Sequence, residues 1–185
     1  MKKLTTLLTM ALIALMSLTL TSCDEDADIA STLHGTWRGN MYVEYQDRDA
    51  VYSVISFEQE GLYSGSGHWI DYYQGKYWGN NDYIANNIRW RVENGNIRIQ
   101  LLEEGREVII YDYSLNDRRF SGIVEVRRTG SRAAFNLTRD SYNYNWRDFD
   151  WGYSKIGTGI NMGDVPSRSA SASKDSLNVT AEPAK

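Results

Sequence analysis

Between Trp37 and Arg139 apolar and polar residues alternate one by one over short stretches separated by turn residues. That period of two marks strands with one dry face. Trp37, Gly39, Met41, Val43 and Tyr45 share one face of a first strand, with Arg38, Asn40, Tyr42 and Glu44 on the other. Gln46-Asp47-Arg48-Asp49 reads as a turn. A second strand sets Val51, Ser53, Ile55 and Phe57 on one face, and Glu60-Gly61 turns the chain into a third, about Leu62 to Tyr73. Gly65 and Gly67 inside it suggest a bulge or a sharp bend. A loop rich in Gly, Asn and aromatics is expected from Gln74 to Asn86.

The strongest local signal follows. Ile88, Trp90 and Val92 alternate with Arg89, Arg91 and Glu93, then Asn94-Gly95 supplies the two residues that a type I′ turn needs at positive φ. Ile97, Ile99 and Leu101 answer on the returning strand, alternating with Arg98 and Gln100. A sixth strand, Val108 to Leu115, is expected to face in with Ile109, Tyr111, Tyr113 and Leu115. Phe120, Gly122, Val124 and Val126 mark a seventh, and Ala133, Phe135 and Leu137 an eighth that ends at Arg139.

Eight strands joined mostly by tight turns, with no convincing helix between them, predict an all-β fold. The first expectation is an eight-stranded antiparallel up-and-down barrel, which leaves no exposed edge; a β-sandwich is the alternative. No proline falls between Trp37 and Arg139, which suits a region where nearly every amide joins a ladder.

The flanks differ in composition. Residues 1–22 carry Lys2 and Lys3 ahead of an apolar run, Leu4 to Leu20, that is interrupted by Thr and Ser. This reads as a secretion signal rather than a stable span. Leu20-Thr21-Ser22-Cys23 resembles the lipobox of bacterial lipoproteins. The resemblance implies cleavage before Cys23 and covalent diacylglycerol and acyl chains, palmitate among them, on that residue, with the membrane as partner through the anchor. Residues 23–31 read as an acidic linker after the cysteine, since Asp24-Glu25-Asp26-Ala27-Asp28 follows it. Such a run resembles the surface-export signal of Bacteroidota lipoproteins, whereas Asp beside the cysteine resembles an inner-membrane retention signal in enterobacteria. The expected location is therefore a lipid-anchored one at the outer membrane, with surface exposure implied by the first resemblance; the periplasmic face of a membrane is the alternative. Residues 32–140 are the barrel, 141–163 an aromatic-rich capping segment, and 164–185 a disordered tail poor in large apolar residues.

His34-Gly35-Thr36-Trp37 opens the first strand and Arg139 closes the last. Gly-X-Trp at that point resembles the lipocalin and wider calycin signature. The resemblance covers about Leu33 to Arg139 and implies that Trp37 plugs the closed end, with Arg139, or else Arg127 or Arg128, packed over its ring as a cation–π partner. The region is shorter than a typical lipocalin, which implies less room for a ligand. The chain is also similar to the small lipocalin-like lipoproteins of Bacteroidota.

The 185-residue chain has a formal charge of −4, more negative once Lys2 and Lys3 leave with the leader, so no general attraction to nucleic acid is expected. The single cysteine excludes an internal disulfide and any multi-cysteine metal site. His34 and His68 are the whole imidazole supply, so neither a metal nor a cofactor is expected beyond the lipid on Cys23. No nucleophile elbow and no phosphate-binding glycine loop occurs, and an enzyme stands only as a second alternative.

Two aromatic clusters remain. Trp69, Tyr72, Tyr73, Tyr77, Trp78 and Tyr83 form the first, and Tyr142, Tyr144, Trp146, Phe149, Trp151 and Tyr153 the second. They either cap the barrel or contact a ligand or partner, and the candidate contacts are Trp69, Tyr72, Tyr73, Tyr77, Trp78, Trp146 and Trp151. Asp175-Ser176-Leu177 resembles a Bacteroidota O-glycosylation site, which implies Ser176 as acceptor. The function expected is a non-catalytic module that binds a small amphipathic ligand or an envelope protein, with a surface glycan-contacting accessory protein as the alternative.

Overall fold

Asn94 and Gly95 take φ of 52° and 71°, and the turn they make sets Val92 opposite Ile97, Arg91 opposite Arg98 and Trp90 opposite Ile99. The computed structural model describes residues 25–45, 48–73, 83–152 and 169–170. Its strands are β1 (Gly35–Asn40), β2 (Val43–Tyr45), β3 (Arg48–Asp49), β4 (Tyr52–Gln59), β5 (Ser64–Tyr72), β6 (Tyr83–Glu93), β7 (Asn96–Leu101), β8 (Arg106–Leu115), β9 (Arg119–Val126), β10 (Ser131–Asp140) and β11 (Ser169–Ala170). Eight of them close a barrel in the order β1-β10-β9-β8-β7-β6-β5-β4. Each neighbouring pair is antiparallel, and β1 pairs with both β10 and β4, so the fold is the up-and-down barrel and not the sandwich.

Strands β4 and β5 approach closely at two glycines. A Cβ on Gly65 or Gly67 would run into the carbonyl of Glu58 or Ser56 across the β4–β5 pair, which is why glycine stands at both positions.

Four differences from the sequence reading have local causes. The first strand stops at Asn40, because Tyr42 takes φ 49° and its amide donates to Asn40 Oδ1 at 2.6 Å; β2 and β3 then pair with each other, apart from the barrel. Val51 lies ahead of β4 and is 57% exposed, and Leu62 ahead of β5 is 61% exposed. β6 begins at Tyr83, inside the expected loop. In β8 the inward residues are Val108 and Ile110, not Ile109 and Tyr111. Asp112 there takes φ 46° and the register with β9 slips between Tyr111 and Ser114. One extra residue reverses the alternation, so Tyr113 and Leu115 rejoin the core side.

Residues 25–33 are a helix rather than a solvated linker. It closes the end of the barrel where β1 begins and β10 ends. Ala30 and Leu33 are fully buried in the core, and Asp26 accepts hydrogen bonds from the amides of Asn94 and Gly95 at 3.0 and 2.8 Å. At the opposite end Met41, Val43 and Ala50, from around the β2–β3 hairpin, enter the same core. Ser169–Ala170 pairs with Val43 and Glu44, so those two residues of the expected disordered tail form a strand. The leader, Cys23, Tyr77, Trp78, Ser176 and the rest of the tail lie outside the described residues.

Candidate functional site

Trp37 is fully buried at the helix-closed end. Its indole N–H donates to Leu33 O at 2.8 Å, and the Arg139 guanidinium carbon stands 4.2 Å from its ring centroid. Arg139 also donates to the carbonyls of Thr32 (2.8 Å), Asp117 (3.1 Å) and His34. Gly35 makes room for this: it takes φ 121°, and a Cβ there would meet the guanidinium. Burial holds Arg139 somewhat below the usual guanidinium pKa. Arg127 and Arg128 are exposed at the β9–β10 turn, at the far end of those strands.

The first aromatic cluster is divided between the two sides of the barrel wall. Trp69 and Tyr73 point inward and are core, 0% and 4% exposed, so they are not surface contacts. Trp69 donates its indole N–H to Asp71 Oδ1 at 2.8 Å, and Ser53 donates to the same oxygen at 2.5 Å. Asp71 and Ser53 are themselves fully buried, and these hydrogen bonds are what make an interior carboxylate tolerable. Tyr72 and Tyr83 lie on the outside instead, with ring centroids 6.0 Å apart, and Tyr72 stacks on Tyr52 at 4.5 Å. Arg38 lies over Tyr52 at 4.3 Å.

The second cluster coats the outer wall beside them. Val54, Ser56, Ile70 and Ala85 alternate with the inward residues of β4, β5 and β6, yet each is at most 4% exposed. Their cover is the segment after β10. Gly152 bridges to Ala85, its amide donating to Ala85 O at 2.8 Å. The Asp150 amide donates to Tyr83 Oη at 3.0 Å, and Phe149 meets the Tyr83 ring edge-on at 5.2 Å. Trp146 and Trp151 pack on His68 at 4.6 and 4.9 Å, and both remain partly exposed. Burial lowers the His68 pKa to about 4. Tyr144 stacks on Trp146 at 5.1 Å and donates to Asp140 at 2.8 Å; burial and that carboxylate raise its phenol pKa. This segment covers a stretch of side wall.

Beside the aromatic coat lies a groove of about 820 Å³ across the outer faces of β5–β8. Arg89, Arg91, Arg98 and Arg106 line it, together with Ser64, Ser66, Gln100, Glu60 and Glu107. Arg91 and Arg98 are direct cross-strand partners, an arrangement in which like charges repel. One oxygen of Glu93 serves both, 3.3 Å from Arg91 and 2.9 Å from Arg98, the latter without a hydrogen bond's alignment. Arg98 also pairs with Glu107 at 3.3 Å. Arg89 is exposed, and its side chain has no ion pair or hydrogen bond among the described residues. Along the sequence these arginines are the polar half of an alternation, and only their i, i+2 spacing and the Asn94-Gly95 register signal that they meet.

A second groove, about 580 Å³, runs beside the helix past Glu25, Asp28, Asp112 and Tyr113. Burial, with Asp26 and Glu25 nearby, pushes the Tyr113 phenol up to about 12. Among the described residues no group of three or more His, Cys, Asp or Glu is placed to hold a metal ion, and no helix is long and apolar enough to cross a membrane.

No protein-family model and no curated protein matches this chain. Among solved structures it is similar to a redesigned beta barrel, with 13% identity over 61% of this chain and 95% of that one and a TM-score of 0.41.

Proposed function

We propose that this chain is a lipid-anchored module of the cell envelope that works, without catalysis, by holding a partner or ligand on the outer wall of its barrel. The large aromatic side chains buried inside the barrel carry the reading. Trp37, Phe57, Trp69, Trp90 and Phe120 are 0–2% exposed inside the barrel, whereas half-exposed aromatics and a groove of arginines run along its outside. A carrier of a small amphipathic molecule needs the reverse, an internal apolar cavity of about 300–1,000 Å³.

The anchor rests on Leu20-Thr21-Ser22-Cys23. Residue 25 already belongs to the helix that closes the barrel, and two residues of chain reach at most about 7 Å. A lipidated Cys23 would therefore hold the helix-closed end toward the bilayer and leave the side wall free. The outer membrane, with the wall toward the surface, is the location this reading assigns.

Two measurements test it. Metabolic labelling with an acyl-chain probe should mark the wild type and not Cys23→Ser; equal labelling ends the anchor reading. Titration with an environment-sensitive apolar dye and a fatty acid should give no saturable one-to-one displacement. Saturable displacement would instead favour a ligand inside the barrel.

A further inference from the structure

We infer that the arginine groove on β5–β8, together with the edge of the aromatic coat, is a binding site for an acidic oligosaccharide. The inference rests on the proposal that the outer wall is the working face, and it does not depend on the anchor.

The register brings the two kinds of group together. Ser64, Ser66 and His68 follow one another on the outer face of β5, and across the ladder Ser64 faces Arg91, Ser66 faces Arg89 and His68 faces Asn87. Trp146 and Trp151 sit on His68, one outward position beyond the Ser66–Arg89 rung. That step is about 6.6 Å along a strand, within the span of a few linked sugar rings. The partly exposed indoles offer flat faces to the C–H side of a pyranose ring. Guanidinium groups one rung away offer the forked donors that match a carboxylate or sulfate; Ser64 and Gln100 supply neutral donors and acceptors for hydroxyls, and Ser66, whose own hydroxyl donates to Glu60, supplies an acceptor.

The charge pattern points the same way. The whole chain is acidic, at −4, yet four arginines converge on one groove lined by the carboxylates Glu60 and Glu107, with Glu93 shared between Arg91 and Arg98. Arg91 beside Arg98 works against folding, and Arg89 lacks an acidic partner among the described residues, which leaves its guanidinium available to a ligand. A long nucleic acid would meet the acidic remainder of the surface, so a short or flexible anionic glycan is the better match.

Affinity electrophoresis of the full chain in non-ionic detergent tests this, in gels carrying polygalacturonate, dextran sulfate or neutral dextran. Retardation is expected in one or both acidic gels, and which one tells carboxylate from sulfate. It should weaken as salt rises, because exposed charges are screened. Arg89→Ala with Arg91→Ala should weaken binding about tenfold or more. Glu60→Gln, a change at an exposed residue, should strengthen it. Equal retardation by neutral dextran, indifference to the arginine pair, or tighter binding to a single-stranded oligonucleotide would each overturn the inference. None of these outcomes bears on labelling of Cys23 or on dye displacement, so failure here leaves the proposed function standing or falling on its own tests.

Discussion

Arg139 stacks its guanidinium on the indole of Trp37, 4.2 Å from the ring centroid, from the position directly opposite on the neighbouring strand. The same side chain reaches the carbonyls of Thr32 and His34, so it ties the helix, the start of β1 and the end of β10 to one ring. Removing that ring should open the end of the barrel. Trp37→Ala is expected to cost about 3–5 kcal/mol in chemical denaturation, while Arg139→Lys, which keeps the charge and loses the fork, should cost less than Arg139→Ala.

Glycines in this barrel answer two different constraints, and substitution separates them. Gly65→Ala sets a methyl against the Glu58 backbone and close to Trp90, so a loss of about 1–3 kcal/mol is expected from overpacking. Gly105 has open space around its Cβ position but takes φ 62°, so Gly105→Ala should cost about 1–2 kcal/mol through backbone strain alone. Equilibrium unfolding of both variants checks the difference in cause, because only the Gly65 variant should also disturb the near-ultraviolet signal of Trp90.

His68 gives the fold a pH dependence with a definite sign. Its pKa falls from 6.5 to about 4 on burial, so the folded chain holds fewer protons than the unfolded chain between those values. Stability should therefore drop as pH falls from 6.5 toward 4. Acidic groups add their own losses in that range, so the relevant measurement is the difference between wild type and His68→Gln. The variant should show a shallower decline in urea midpoint between pH 7 and pH 4.5; parallel declines would mean that His68 titrates normally.

The coat of aromatics should be separable from the barrel. Ending the chain at Asp140 should uncover Val54, Ile70 and Ala85, all fully buried in the full chain. The truncated protein should melt lower and bind more apolar dye than the full chain. Trp146→Ala with Trp151→Ala should reproduce part of that loss without removing β11. An unchanged melting temperature in both would mean that the coat adds nothing to stability.

How far the sequence alone reached follows from which forces are local. Period-two alternation and the turn residues are local, and they were enough for eight strands, their antiparallel order and the register of the Asn94-Gly95 hairpin. They also placed Trp37, Ile88, Trp90, Ile97, Phe120 and Leu137 inside, because a strand side chain has only two directions to choose from. Other features depended on contacts far along the chain. The bulge at Asp112 reversed β8 without any turn residue to announce it. The acidic stretch became a helix because Ala30 and Leu33 found the open end of a barrel that closes only when β1 meets β10. The aromatic coat needed the apolar outer patch of Val54, Ile70 and Ala85, three strands' worth of residues that no single segment displays. The arginine groove likewise exists only after β5 through β8 are laid side by side, since each strand contributes one or two of its polar residues. Alternation decides which side of a strand a residue faces; only the closed sheet decides which residues become neighbours across it.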